Sequence, residues 1–447
     1  MAEAIRRLPH LPIEVWETVF GTFRANNDIG GLAALCRTCK LFNGIVTPEL
    51  YKVFDTELLG FDAMSPVKFN GLVAFLRAVA GNNWLASLVT ELKVHAYTYS
   101  RSFIANLALE DKALLEDLSI RLGVQDLIGD MTELLLCMLF NVKSIYLSYY
   151  DDPRSESFLS RWIEKTPSNR LWALTTLKVR RFPGQVGERR RSLIINRALF
   201  GDLIAVAPKI ETLTLQYHCL TDTELMMANL KELNITDCHL IISEITNILR
   251  HTYHLETFRY HPGGIFGTVR PRSNALQTIA ALSRYRDTLK VLDLQPRILC
   301  NQQPVSAQDW DNDTMMYIDD DMTGSIGDAL QKIALLHTIK LSQGIIYGAR
   351  GPDASTSGSL LTRTLPRSLN RLHLSDVRVH LFEDIRQFAH DVAQGEFPKL
   401  ESVELVAVST RSFLSSLPRE VKASSIKQIE AIRGLFRDAG VGFHFKC

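Results

Sequence analysis

The sequence predicts an α/β fold in which a short N-terminal helical module precedes a solenoid of parallel strands alternating with helices. Three observations predict it. Behind a Leu-Pro pair, the apolar residues Ile13, Val15, Trp16, Val19, Phe20 and Phe23 recur at helical spacing. From residue 89 onward, a unit of one apolar, two variable, one apolar, one variable and one apolar residue recurs ten times. Between successive units lie stretches patterned as helices. The 447 residues, 46% of them hydrophobic, suffice to bury a large core.

The first element follows from Leu11-Pro12. Proline is tolerated in the first turn of a helix, where its missing N–H would have no intrahelical partner. A helix of about ten residues is expected to begin here and to end near Gly21. After the polar break Arg24–Asp28, the apolar positions Leu32, Leu35, Cys36, Leu41, Phe42 and Ile45 mark one or two further short helices. The Gly30-Gly31 pair places the next helix start after Gly31, because glycine costs up to about 1 kcal/mol in a helix interior. Helices this short are marginal alone and require packing partners.

These residues resemble the F-box family. Leu11-Pro12-Ile13-Glu14 matches its opening, Val19-Phe20 its first amphipathic helix, and Asp28-Ile29 its link. Leu32-Ala33-Ala34-Leu35-Cys36-Arg37-Thr38-Cys39-Lys40-Leu41-Phe42 matches its closing run, and Pro48-Glu49-Leu50-Tyr51 a trailing motif of fungal members. The resemblance covers residues 8–54. It implies a three-helix F-box that docks on a Skp-family adaptor and through it a cullin. Leu11, Pro12, Val15, Val19, Phe20, Leu32, Leu35 and Cys36 are then the candidates for the adaptor surface or the core that shapes it. Residues 55–88 read as a helical linker and N-terminal cap.

The ten units begin at Val89, Val142, Leu174, Ile210, Leu230, Leu255, Leu289, Leu336, Leu369 and Leu400. The last two apolar positions of each unit are two apart, so they share one face of a strand and the residue between them takes the other. With helical stretches such as Ser192–Val206, Ser243–His251 and Leu381–Ala393 between them, the units read as an irregular leucine-rich-repeat solenoid over residues 89–447. Successive units start 20 to 53 residues apart. A conventional α/β sheet is the competing fold, but its buried parallel strands would be continuous apolar runs. Residues 300–325 form an acidic insertion, Gly351–Ser359 a polar loop, and a helix near Ser425–Ala439 with a strand Val441–Phe445 forms a C-terminal cap within residues 423–447.

The strand residues between the paired apolar positions form an exposed central row: Lys93, Tyr146, Lys178, Thr214, Asn234, Arg259, Asp293, Lys340, His373 and Glu404. Arg180, His261 and Arg371 flank it. The row reads as somewhat more basic than acidic. It nominates Lys93, Tyr146, Lys178, Arg180, Arg259, Lys340, Arg371 and His373 for binding a protein substrate, with a preference for acidic or phosphorylated segments.

Lys plus Arg number 50 against 49 Asp plus Glu, a balance that argues against a nucleic-acid partner. Glu14 and Glu17 interrupt what a signal peptide would need, and no apolar run of membrane-spanning length occurs, so no membrane partner and a cytoplasmic or nuclear location are expected. Seven cysteines without framework spacing fit reduced thiols, and Cys36-x-x-Cys39 lacks the two further ligands of a zinc site. No phosphate loop, nucleophile elbow or zinc helix occurs. No enzymatic activity, cofactor or metal is therefore expected. A repeat-based scaffold without a role in ubiquitin transfer is the alternative function.

Overall fold

The computed structural model describes residues 12–26, 28–56, 66–96, 107–122, 131–149, 171–181, 197–216, 226–238, 240, 242–261, 275–295, 323–347, 359–407 and 419–446. The chain divides into two compact units, residues 1–183 with 198–210 and residues 184–197 with 211–447. Both are α/β. Most of the acidic insertion, the loop to residue 358, Leu11, and the start of the helix expected from Ser192 lie outside the described residues.

The first unit opens with helices α1 (Ile13–Ala25), α2 (Ile29–Cys36) and α3 (Lys40–Tyr51). Their shared core is Phe20, Leu32 and Val46, against which Trp16, Phe23, Leu35, Cys36, Phe42, Ile45 and Leu50 pack. Trp16, Phe20 and Phe42 form an aromatic triangle with centroids 5.1–5.6 Å apart. Two expected boundaries are corrected. α1 does not stop at Gly21 but continues to Ala25, because the cost of one glycine is outweighed by Phe23 packing on the core and by Arg24 donating to the Val53 carbonyl at 2.5 Å. α2 begins before the glycine pair, at Ile29, because Asp28 caps it by accepting from the Gly31 N–H at 2.8 Å.

A single residue separates α3 from strand β1 (Val53–Asp55), which pairs in parallel with β2 (Glu91–Ala96). The sheet therefore starts ahead of the residue 89 expected for it. β1 escaped the pattern because Phe54 stands in register with Leu92, while Thr56, buried, follows where the other units carry an apolar side chain. β3 (Ser144–Tyr149) and β4 (Thr176–Arg181) continue the parallel order. Among the described residues this unit also carries helices Pro66–Ala80, Asn83–Leu88, Leu109–Leu122 and Met131–Met138, and Arg197–Val206 from its second residue on.

The second unit carries β5 (Thr212–Gln216), β6 (Glu232–Thr236), β7 (Thr257–His261), β8 (Val291–Leu294), β9 (Thr338–Ser342), β10 (Arg371–Val377), β11 (Ser402–Ala407) and β12 (Gly442–Lys446). All pair in parallel and in chain order. Helices Ile242–Leu249, Ala275–Leu282, Thr323–Gln331, Gln343–Tyr347, Leu360–Thr364 and Phe382–Ala393 lie between strands, and the last helix, Arg419–Asp438, starts earlier than the sequence suggests.

Every apolar position of the ten units is buried, from Val89, Leu92 and Val94 to Leu400, Val403 and Leu405. Each such side chain contributes about 1.5–3 kcal/mol of transfer free energy. The variable spacing leaves the strands regular because one carbonyl per unit anchors the next: Lys52 O accepts from the Thr90 and Glu91 N–H groups, Lys231 O from Glu256 and Thr257, and Asn370 O from Glu401 and Ser402. The length differences fall in the excursions between strands.

Candidate functional site

Two surfaces carry the residues singled out by sequence. On the N-terminal helices, Pro12, Val15 and Val19 are exposed, and Val15 and Val19, four apart, share one face of α1. Phe20 and Leu32 belong instead to the core. Leu35 and Cys36 are half-buried against that core, with the Cys36 sulfur 3.8 Å from the Thr47 hydroxyl. Leu41, 54% exposed, is the apolar surface residue that sequence reading did not nominate. Leu41 points away from the core on which its neighbour Phe42 packs, and the apolar run Leu41-Phe42 does not by itself tell which of the two is covered.

The central row is a register row in each unit. In the first, Asp55, Lys93, Tyr146 and Lys178 are aligned across β1–β4. Lys93 Nζ lies 3.6 Å from Asp55 and 3.3 Å from Glu91. Arg180 stands in register with Ser148, half-buried, and Lys178 is exposed.

In the second unit the row runs Thr214, Asn234, Arg259, Asp293, Lys340, His373, Glu404 and His444. Arg259 pairs with Glu232 and donates to Asn234 Oδ1 at 2.8 Å. Asp293, its side chain only 5% exposed, lies 2.9 Å from His261 Nε2 and 3.9 Å from Lys340 Nζ. His373 Nδ1 is 3.0 Å from Glu404, which also pairs with Lys446. Arg371, more exposed, lies 3.7 Å from Glu401. Hydrogen bonds from Lys446 and then His373 pull the Glu404 carboxyl down to about 2.

Arg259, Lys340 and Arg371 of this unit thus carry neighbouring carboxylates, as does the His373 ring, and the face is a lattice of paired groups rather than an uncompensated basic strip. Lys178 and Arg259 belong to different units. The counterions Asp55, Glu232, Glu401 and Lys446 were missed by sequence reading. Glu232 was within reach of it, being two residues before Asn234 on the same strand face.

Among the described residues no group of three His, Cys, Asp or Glu side chains is placed to hold a metal ion, and no helix is long and apolar enough to cross a membrane. Compared with known proteins, the sequence matches no protein-family model and no curated protein.

Proposed function

We propose that this chain is the substrate-recognition subunit of an SCF-type E3 ubiquitin ligase. In this reading α1–α3 form the F-box and dock on the Skp-family adaptor, through it on a cullin, and the open strand face holds the protein substrate. The chain itself then carries out no covalent step. The observation that carries the reading is the N-terminal module: three short helices share one small core yet leave Pro12, Val15, Val19 and Leu41 exposed. Apolar side chains left exposed on so small a module support its use as a protein-binding surface. One repeat also extends toward the regular leucine-rich pattern. Leu230, Leu233 and Ile235 are followed by buried Cys238, whose thiol lies 3.2 Å from Thr236 O, and by buried Leu240, at positions where such repeats carry Asn or Cys and then Leu.

Recognition draws on Lys93, Tyr146, Lys178 and Arg180 on the strand face of the first unit and on Arg259, Lys340, Arg371 and His373 on that of the second. An acidic or phosphorylated segment binds there by replacing a carboxylate such as Glu232 on Arg259, trading one charge-assisted hydrogen bond for another. The complex works in the cytoplasm or the nucleus.

Co-purification tests the assignment. Tagged full-length chain is expected to retain adaptor and cullin together, and the double variant Val15→Asp, Val19→Asp to lose both while its melting temperature stays near wild type. Adaptor without cullin supports the scaffold alternative, and undiminished capture by the double variant removes the F-box assignment.

A further inference from the structure

β12 is paired on one side only. It runs parallel to β11 from Gly442, opposite Ser402, to Lys446, opposite Val406, and among the described residues no strand lies on its other side. The Gly442 N–H donates to Glu401 O at 2.9 Å. Alternate residues of a parallel strand bond the same neighbour, so Gly442, His444 and Lys446 face β11, while the N–H and C=O groups of Phe443 and Phe445 point outward. Four strong backbone groups therefore stand on an open edge.

Proteins commonly guard such an edge with proline, a bulge or an outward lysine. This strand has no proline, its pairing with β11 is continuous, and its lysine, Lys446, is drawn inward onto Glu404. The edge is left fit for pairing.

We propose that this edge is a dimerisation strand whose occupant is β12 of a second copy of the chain, paired antiparallel about a two-fold axis through His444. Rotation about His444 sets Phe443 opposite Phe445 of the second copy and Phe445 opposite its Phe443. Both are outward-bonding residues, so each pair exchanges two N–H···O=C bonds and all four groups of each strand are satisfied. On one face these pairs are aromatic opposite aromatic. The two rings are held in place from within, Phe443 stacked on Phe436 at 5.3 Å and Phe445 edge-on to Phe382 at 6.0 Å. On the other face Lys446 falls opposite Gly442, which has no side chain to obstruct it, and no carboxylate meets a carboxylate. Closed two-fold association requires this self-complementarity, whereas an unrelated extended peptide would gain the backbone bonds without the side-chain match.

Sedimentation equilibrium of the full chain at tens of micromolar is expected to give the mass of two chains. Phe443→Pro removes an outward donor and the ring, whereas Phe443→Leu removes the ring alone. The Leu variant is expected to remain dimeric and the Pro variant to dissociate at least tenfold more readily. Hydrogen exchange on the unmodified chain supplies a reading that needs no variant: the Phe443 and Phe445 amides are expected to exchange faster on dilution. A monomeric wild type, equal dimerisation by both variants, or exchange at these amides independent of concentration overturns the proposal.

Discussion

Gly31 stands where any side chain would collide with the cap of α2. A Cβ built there falls 2.4 Å from Asp28 Oδ2, whereas at Gly30 the nearest contact is an ordinary 3.8 Å. Gly31→Ala is therefore expected to push the Asp28 carboxylate off its hydrogen bond and to cost about 1 kcal/mol. Gly30→Ala is expected to be neutral or stabilising by up to about 1 kcal/mol, since alanine replaces glycine in a helix. Urea unfolding of the two variants distinguishes them. Glu404 gives a second test at this scale. Its carboxyl is lowered from 4.5 to about 2 by hydrogen bonds from Lys446 and His373. A depressed carboxyl contributes stability that is fully present above its ordinary value and is lost as pH falls from there toward 2. Unfolding midpoints of wild type are expected to drop more steeply from pH 5 to pH 3 than those of Glu404→Gln, which starts lower at neutral pH; parallel curves would rule out the Glu404 contribution.

Among the elements, strands and short helices obey different rules. On β4, Leu177 is fully buried and Lys178 exposed, although they are adjacent. Leu177→Ala is expected to cost about 2–5 kcal/mol and Lys178→Ala to stay within about 0.5 kcal/mol, measured by chemical denaturation. This contrast was legible in the sequence, because a period of two assigns each strand residue to a face without ambiguity. The N-terminal helices were less legible. Val15, Val19, Phe20 and Leu32 are all apolar at helical spacing, yet two are surface and two are core. A helix offers a continuum of directions, and which part of its apolar arc is covered depends on where the neighbouring helices cross it. The open edge of β12 was likewise hidden, since the strand itself was expected but its unpaired side is a property of the sheet.

For the whole molecule, the proposed function separates two tasks onto two surfaces. Reversing Arg259, Lys340 and Arg371 to Glu together is expected to reduce substrate capture at least tenfold and to leave adaptor capture unchanged in the same pull-down. Loss of both would indicate unfolding, and retention of both would move recognition off the open face. The sequence by itself determined the alternation of strands and helices and the buried ladder of leucines, isoleucines and valines. Each of these depends on spacing within a few residues, where chain geometry leaves little freedom. Only the tertiary structure decided which charges neutralise which. Arg259 and Glu232 are 27 residues apart, His261 and Asp293 32, and His373 and Glu404 31. Those partners meet because the strands stack in register however long the excursion between them, and no local pattern records a register that the hydrogen-bonded ladder sets across strands.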